Sequence, residues 1–298
     1  MPRLNGVEVE DTFAELFEMW AGRIIITAEN EKWAQTAANV ATGYGSSIIA
    51  SPAEAGIEST ITQSESPDGR PGIIIQIYHT ARKDLKKQMI GRIGQCVMTC
   101  PTTTAFDGLP SAARRLRVGR SLRFFGDGFQ KKDNFKDRIV WRIPVMEGEF
   151  VVQSSFGAVK AAAGGNLLIF ASTQKSGLQA AEEAVNSIRR NAKNVIMPFP
   201  GGICRSGSKV GSLKYKLPAS TNHPFCPTLR DAVADSQVPK NVRSVYEIVV
   251  NGLDLESVKK AMKEGIAAAT KVEGVAKISA GNYGGKIGPM KIFLRELV

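Results

Sequence analysis

The stretch VYEIVVNGLDLESVKKAM (residues 245–262) has an earlier counterpart in GIIIQIYHTARKDLKKQM (residues 72–89), with Lys259 and Lys260 set against Lys86 and Lys87 and Met262 against Met89. Each stretch opens on an apolar run of strand length and passes into helical spacing. In the later copy Leu255, Val258, Met262 and Ile266 share one helix face, and Asp254 is placed to cap the start. In the earlier copy Leu85, Met89 and Ile93 do the same. Working outward, RIIITAENEKWAQTAANVATG (23–43) and NLLIFASTQKSGLQAAEEAVNS (166–187) both read strand, turn and amphipathic helix, followed by strands expected in SSIIASP (46–52) and NVIMPFP (194–200). The second helix of each set is expected to lead into a strand, QCVMTCP (95–101) and VAKISAG (275–281). Strand–helix–strand, written twice in each half, is the split βαβ, ferredoxin-like pattern. The expected fold is therefore α+β, two related ferredoxin-like lobes over residues 1–150 and 151–298, with mostly antiparallel sheets flanked by helices. Between residues 107 and 148, RFFGDGF and RIVWRIPVMEGEF are expected to form hairpins and connections on the first lobe.

The bulk composition narrows the classes. With 298 residues and 43% hydrophobic content the chain can bury a substantial core. The N-terminus carries acids without an apolar leader, and no apolar run reaches membrane-spanning length, so a cytoplasmic protein without a membrane partner is expected. The four cysteines, Cys96, Cys100, Cys204 and Cys226, include no C-x-x-C pair, and only His79 and His223 join them. A metal site would lack its usual ligands, and reduced, mostly buried thiols are expected. The formal charge of +11 points to anionic partners. Nucleic acid is not among those expected, because the basic residues are scattered in short clusters such as ARRLRVGRSLR (113–123), without a helix-turn-helix, zinc or RNA-sheet signature.

Duplication helps to find working residues, since packing positions should agree between copies. One position disagrees: Ile74 stands where Glu247 stands. Glu247 is either half exposed near the strand's start and paired with an arginine, or buried. In the second case desolvation raises its pKa and makes it a hydrogen-bond donor or general acid. A second stretch, PFPGGICRSGSKVGS (198–212), nearly fits a nucleotide phosphate loop, with Gly202 and Gly207 at the right spacing. Ser208 precedes Lys209, however, where that motif needs a hydroxyl after the lysine. An anion cradle of another kind and a plain turn both remain open readings.

Nine blocks in one order, NGVEVEDTFAE, PAEAGIE, PDGRPG, RIGQCVMT, FFGDG, PFPGGI, SGSKVGS, VYEIVVNGL and KISAGNYGGK, make the chain resemble the formylmethanofuran:tetrahydromethanopterin formyltransferases over nearly its whole length. The resemblance implies formyl transfer between the amine of methanofuran and a ring amine of tetrahydromethanopterin, by direct attack in a ternary complex. Methanofuran and tetrahydromethanopterin would be coenzyme substrates, with no prosthetic group and no metal. It assigns a buried, protonated glutamate in the VYEIV strand as donor to the tetrahedral oxyanion, which matches Glu247. Tyr246, on the opposite strand face, is left structural. Residues 198–212 then read as a ligand-cleft loop in which Gly201, Gly202, Ser206, Ser208 and Lys209 meet the coenzymes, against the alternative of a structural turn with Lys209 solvated. Asn222 and Asn282 lie in comparable Gly-, Ser- and Pro-rich segments and are further candidates; His223 is not taken as a base. The basic charge, Arg205 and WRIPVMEGEFV look more like the bacterial branch, whose members are subunits of a formyltransferase/hydrolase complex. A homotetramer built from dimers, further complex subunits and one-carbon metabolism of methanogenic or methylotrophic type are also implied. The rival reading is a non-catalytic subunit that holds methanofuran for others.

Overall fold

A computed structural model describes residues 2–298 and divides them into two compact units. One is Met19–Lys160; the other joins Ala161–Val298 to the N-terminal segment ending at Glu18. The boundaries fall inside two long strands, Phe13–Thr27 and Phe156–Ala171, which carry the chain between the units.

In the unit Met19–Lys160 the sheet order is Thr104–Asp107, Phe13–Thr27, Gly72–His79, Glu54–Ile61, with every neighbour antiparallel. In the other unit Val275–Ser279, Phe156–Ala171, Ser244–Gly252 and Val195–Ile196 follow the same order and directions. The split βαβ pattern therefore appears twice, within an α+β fold of mostly antiparallel sheet. Each copy is extended in the same manner. Gly148–Gln153 adds in parallel beside Thr104–Asp107, and Val7–Val9 adds in parallel beside Val275–Ser279.

Alternation decides which face of each sheet is covered by helices. Ile73, Ile75 and Ile77 point to Leu85, Met89 and Ile93, and all six are buried. Ile248 and Val250 point to Val258, Met262 and Ile266, also buried. Asp254 caps the helix Leu255–Ala269, its side chain accepting from Ser257 N at 2.7 Å. The intervening residues, Ile74 and Glu247, face away from the helices. Their strand partners, Ile25 and Leu168, occupy corresponding positions in the two copies, so the alignment made on the lysine pairs is also the register of the sheets.

Three expected strands differ. QCVMTCP continues the helix Arg82–Arg92 as a π-helical turn, Ile93–Val97, and the strand begins only at Thr104. The reason is packing: Met89, Ile93 and Val97 fall four residues apart, and the extra turn buries all three. SSIIASP is a turn, and its strand starts at Glu54. Of NVIMPFP only Val195–Ile196 pairs, because Pro198 and Pro200 cannot donate to a ladder. The strands Lys131–Phe135, Arg138–Val145 and Gly148–Gln153 form the expected hairpins, whereas RFFGDGF is a short helical turn, Arg123–Gly126, followed by Asp127 in a left-handed conformation. No helix among the described residues is long and apolar enough to cross a membrane.

Candidate active site

Leu168 opposes Glu247 on one side and Ser279 on the other, so the three side chains form a row on the sheet face away from the helices. That face is covered by residues between Val195–Ile196 and Ser244–Gly252, where Val238, Val242 and Phe225 pack on Leu168 and Phe170. The turn after Ile196 then brings Cys204 back beside the strand. Cys204 N donates to Glu247 O at 2.8 Å and Glu247 N to Cys204 O at 2.9 Å, a two-way bridge that fixes this segment against the glutamate. Gly202 makes the turn possible. It is buried with φ +91, and a Cβ there would meet Val185 at 3.0 Å.

Glu247 ends up without a cation. No salt bridge reaches it among the described residues, which removes the arginine-paired alternative. Desolvation by its surroundings pushes its carboxyl up to about 7, and a hydrogen bond with the Cys204 side chain acts more weakly in the opposite direction. Burial, with the adjacent Glu247 charge, raises the Cys204 thiol in turn, so the cysteine stays protonated. Near neutral pH the site therefore contains a carboxyl that is protonated for much of the time and able to donate. Such a group, held in a sheet and partly desolvated, is suited to an oxygen that gains negative charge during reaction.

The other candidates spread over four places. Gly201 and Gly202 form the turn Pro200–Gly202, and Arg189 holds the Gly201 carbonyl at 3.3 Å. Ser206 lies next to Glu247's neighbour, its hydroxyl 3.4 Å from Cys204 Sγ. Ser208 and Lys209 sit on a two-stranded hairpin, Ser208–Val210 with Ala219–Thr221, and Asn222 N donates to Gly207 O at 2.7 Å to close it. Lys209 makes no ion pair among the described residues. Asn282 turns its amide to the N-terminal segment, donating to Thr12 Oγ1 and Phe13 O, both at 3.1 Å. Tyr246 packs against the helix Gln174–Asn191 near Gly177, on the face opposite Glu247. His223 contacts Asp235 at 3.1 Å.

Cys204 and Tyr283 are the polar groups that sequence reasoning missed, although both lie in stretches singled out above. Cys204 was grouped with the buried thiols, and Tyr283 stood inside KISAGNYGGK without a role. Only the bridge brings Cys204 to Glu247, and only the fold of the 281–288 loop puts Tyr283 where the Glu247 charge raises its phenol. Among the described residues no group of three or more His, Cys, Asp or Glu side chains is arranged to hold a metal.

A fold of two ferredoxin-like units with a cation-free, proton-holding carboxyl on the sheet face away from the helices defines the class: a group-transfer enzyme built on a duplicated α+β scaffold. The family model described as formylmethanofuran-tetrahydromethanopterin formyltransferase matches residues 2–145, and that described as FTR, proximal lobe, matches residues 148–297. A protein of Methanocaldococcus jannaschii named formylmethanofuran–tetrahydromethanopterin formyltransferase is 55% identical over 298 residues, 99% of each chain. The solved formyltransferase of Methanosarcina barkeri superposes with a TM-score of 0.96 at 49% identity, covering 100% of both chains. A chain of the formyltransferase/hydrolase complex of Methylorubrum extorquens, solved with methylofuran, superposes with a TM-score of 0.94 at 42% identity, over 99% of this chain and 97% of that one. The chain belongs to the formylmethanofuran-tetrahydromethanopterin formyltransferase family, and it is a transferase.

Proposed function

We propose that this chain moves a formyl group between the amine of methanofuran, or of a glutamylated analogue, and a ring amine of tetrahydromethanopterin, with both coenzymes bound at once. The ring nitrogen and the methanofuran nitrogen exchange one acyl bond. The attacking amine forms a C–N bond to the formyl carbon, the carbonyl electron pair moves onto oxygen, and collapse of the tetrahedral intermediate breaks the other C–N bond. A proton passes from the attacking to the leaving nitrogen. Glu247, protonated, donates to the oxygen while it carries charge. A single donor of this kind contributes about a hundredfold or more in rate. The observation that carries the reading is the raised Glu247 carboxyl in a sheet position without a cation, supported by full-length relatives of that activity.

Ser206, Ser208, Lys209, Asn222 and Asn282 are assigned to coenzyme contacts on this reading, and Gly201 and Gly202 to the shape of the cleft loop. No prosthetic group is involved, because each step is acyl transfer between bound amines. We further assign the protein to cytoplasmic one-carbon metabolism, methanogenic or methylotrophic, as a homotetramer. The neighbouring complex solved with methylofuran supports hydrolase-type partner subunits as well.

The test is formyl transfer by the purified chain alone, beside Glu247→Gln. The expected result is an active parent and a variant whose kcat is lower by about two decades or more with little change in KM, as for loss of a transition-state donor. A folded, oligomeric parent inactive with both coenzymes would shift the reading to a methanofuran-holding subunit. A glutamine variant as fast as the parent would end the account of Glu247.

A further inference from the structure

Glu15 is 2% exposed, and no cation pairs with it among the described residues. Its two oxygens instead accept four backbone N–H groups from a single loop: Tyr283 at 2.7 Å and Gly285 at 2.9 Å on Oε2, Ile287 at 2.7 Å and Gly288 at 2.5 Å on Oε1. Burial alone would raise this carboxyl, but the four amides outweigh it and hold the group below the ordinary carboxylate range, so it is charged at neutral pH. The loop needs such an anchor. Gly284 and Gly285 stand at φ +70 and +71, conformations that glycine adopts easily and leaves easily. A ring of converging amides without an anion would leave its dipoles unopposed.

The same loop is pinned at its start on the Glu247 sheet. Asn166 and Gly281 exchange two hydrogen bonds, Asn166 Nδ2 to Gly281 O at 3.0 Å and Gly281 N to Asn166 Oδ1 at 2.6 Å. Asn166 opposes Val249, two residues from Glu247 along the strand, while Ser279 lies in the Glu247 row itself. Between these anchors stands Tyr283, its ring 6.2 Å from that of Phe17. We propose that Glu15 is a positioning residue of the active site: its carboxylate fixes the 281–288 loop so that Tyr283 is held beside Glu247 as a second polar group of the site. Burial, then the Glu247 and Glu15 charges, raises the Tyr283 phenol, which agrees with this proximity and keeps the hydroxyl a donor.

This inference rests on the formyl-transfer reading for its kinetics but not for its geometry, and the experiment separates the two. Glu15→Gln, Tyr283→Phe and the double variant are compared with the parent by amide hydrogen exchange and by formyl-transfer kinetics. Expected in Glu15→Gln is exchange at Tyr283, Gly285, Ile287 and Gly288 faster by about thirtyfold or more, with the strand Ser244–Gly252 as protected as before. Expected too is a kcat lower by about tenfold to a hundredfold with KM changed less than about threefold, a similar fall for Tyr283→Phe, and no further fall in the double variant. Unchanged loop exchange, or falls in kcat that multiply in the double variant, would overturn the proposal. An inactive parent would sink the functional reading and leave the exchange result to decide whether Glu15 holds the loop. Should Glu15→Gln not fold, Gly284→Ala loosens the same loop: the residue is exposed with open space for a methyl, yet its φ of +70 opposes one.

Discussion

The strands Gly72–His79 and Ser244–Gly252 hold the same place in the two units, and both carry polar groups near the sheet face away from their helices. In the first, Arg23 grips Glu58 with two hydrogen bonds, 2.7 Å from Nε and 2.6 Å from NH2, and the buried Gln76 donates to the same carboxylate at 2.6 Å while accepting from Tyr78. Every partner there is satisfied, and the carboxylate has no unfilled role. In the second, Asn166 replaces Arg23, Ile74 becomes Glu247, and the carboxyl has the Cys204 thiol beside it and no cation among the described residues. The difference teaches how one scaffold makes a silent carboxylate or a reactive one. A fixed guanidinium stabilises the charge; withholding it while keeping the burial stores an acid.

Breaking the silent copy should have the largest effect. Arg23→Ala leaves the Glu58 side chain, 4% exposed, without its cation, and a loss of about 3–5 kcal/mol in denaturant-induced unfolding is expected, with kcat per folded molecule unchanged. A smaller loss would mean that Gln76 suffices and that the contrast between the copies is weaker than drawn.

The reactive copy should reveal itself through pH. Glu247 has a folded pKa of about 7 against an ordinary 4.5, so its protonated form is the one that folding favours. Its contribution to stability is complete below about 4.5 and is lost as pH rises through about 7, a change of about 3 kcal/mol in all. Thermal unfolding should therefore show Glu247→Gln gaining on the parent between those limits and exceeding it at pH 8. The parent's kcat should fall about tenfold per pH unit above about 7, while the glutamine variant stays level. A parent profile flat from pH 6 to 9 would remove the proton from the mechanism. Glu15 runs the other way: its contribution is present above the ordinary carboxylate range and disappears as pH falls through its lowered value.

The smallest contrast concerns the helices. Asp254 caps Leu255–Ala269, whereas Arg82–Arg92 starts after Ala81 without a side-chain cap. Asp254→Ala should cost about 1 kcal/mol and Ala81→Asp should gain up to about 1 kcal/mol, both measured by chemical unfolding and neither changing KM.

The sequence by itself determined the duplicated scaffold, the helix faces, the Asp254 cap and the odd position at Glu247. These follow from periodicity and from comparing two copies, which are local properties of the chain. It misjudged QCVMTCP because a short apolar run with cysteines suits strand and helix alike, and only burial of Ile93 and Val97 below the sheet chooses. What only the tertiary structure decided is the company Glu247 keeps. Cys204 arrives by a bridge across a long insertion, and the loop that carries Tyr283 is held on Glu15 from the other end of the chain. Whether a carboxyl keeps its proton depends on which charges and dipoles lie within a few ångströms, and residues distant in sequence supply them here. Spacing along the chain carries no record of that distance.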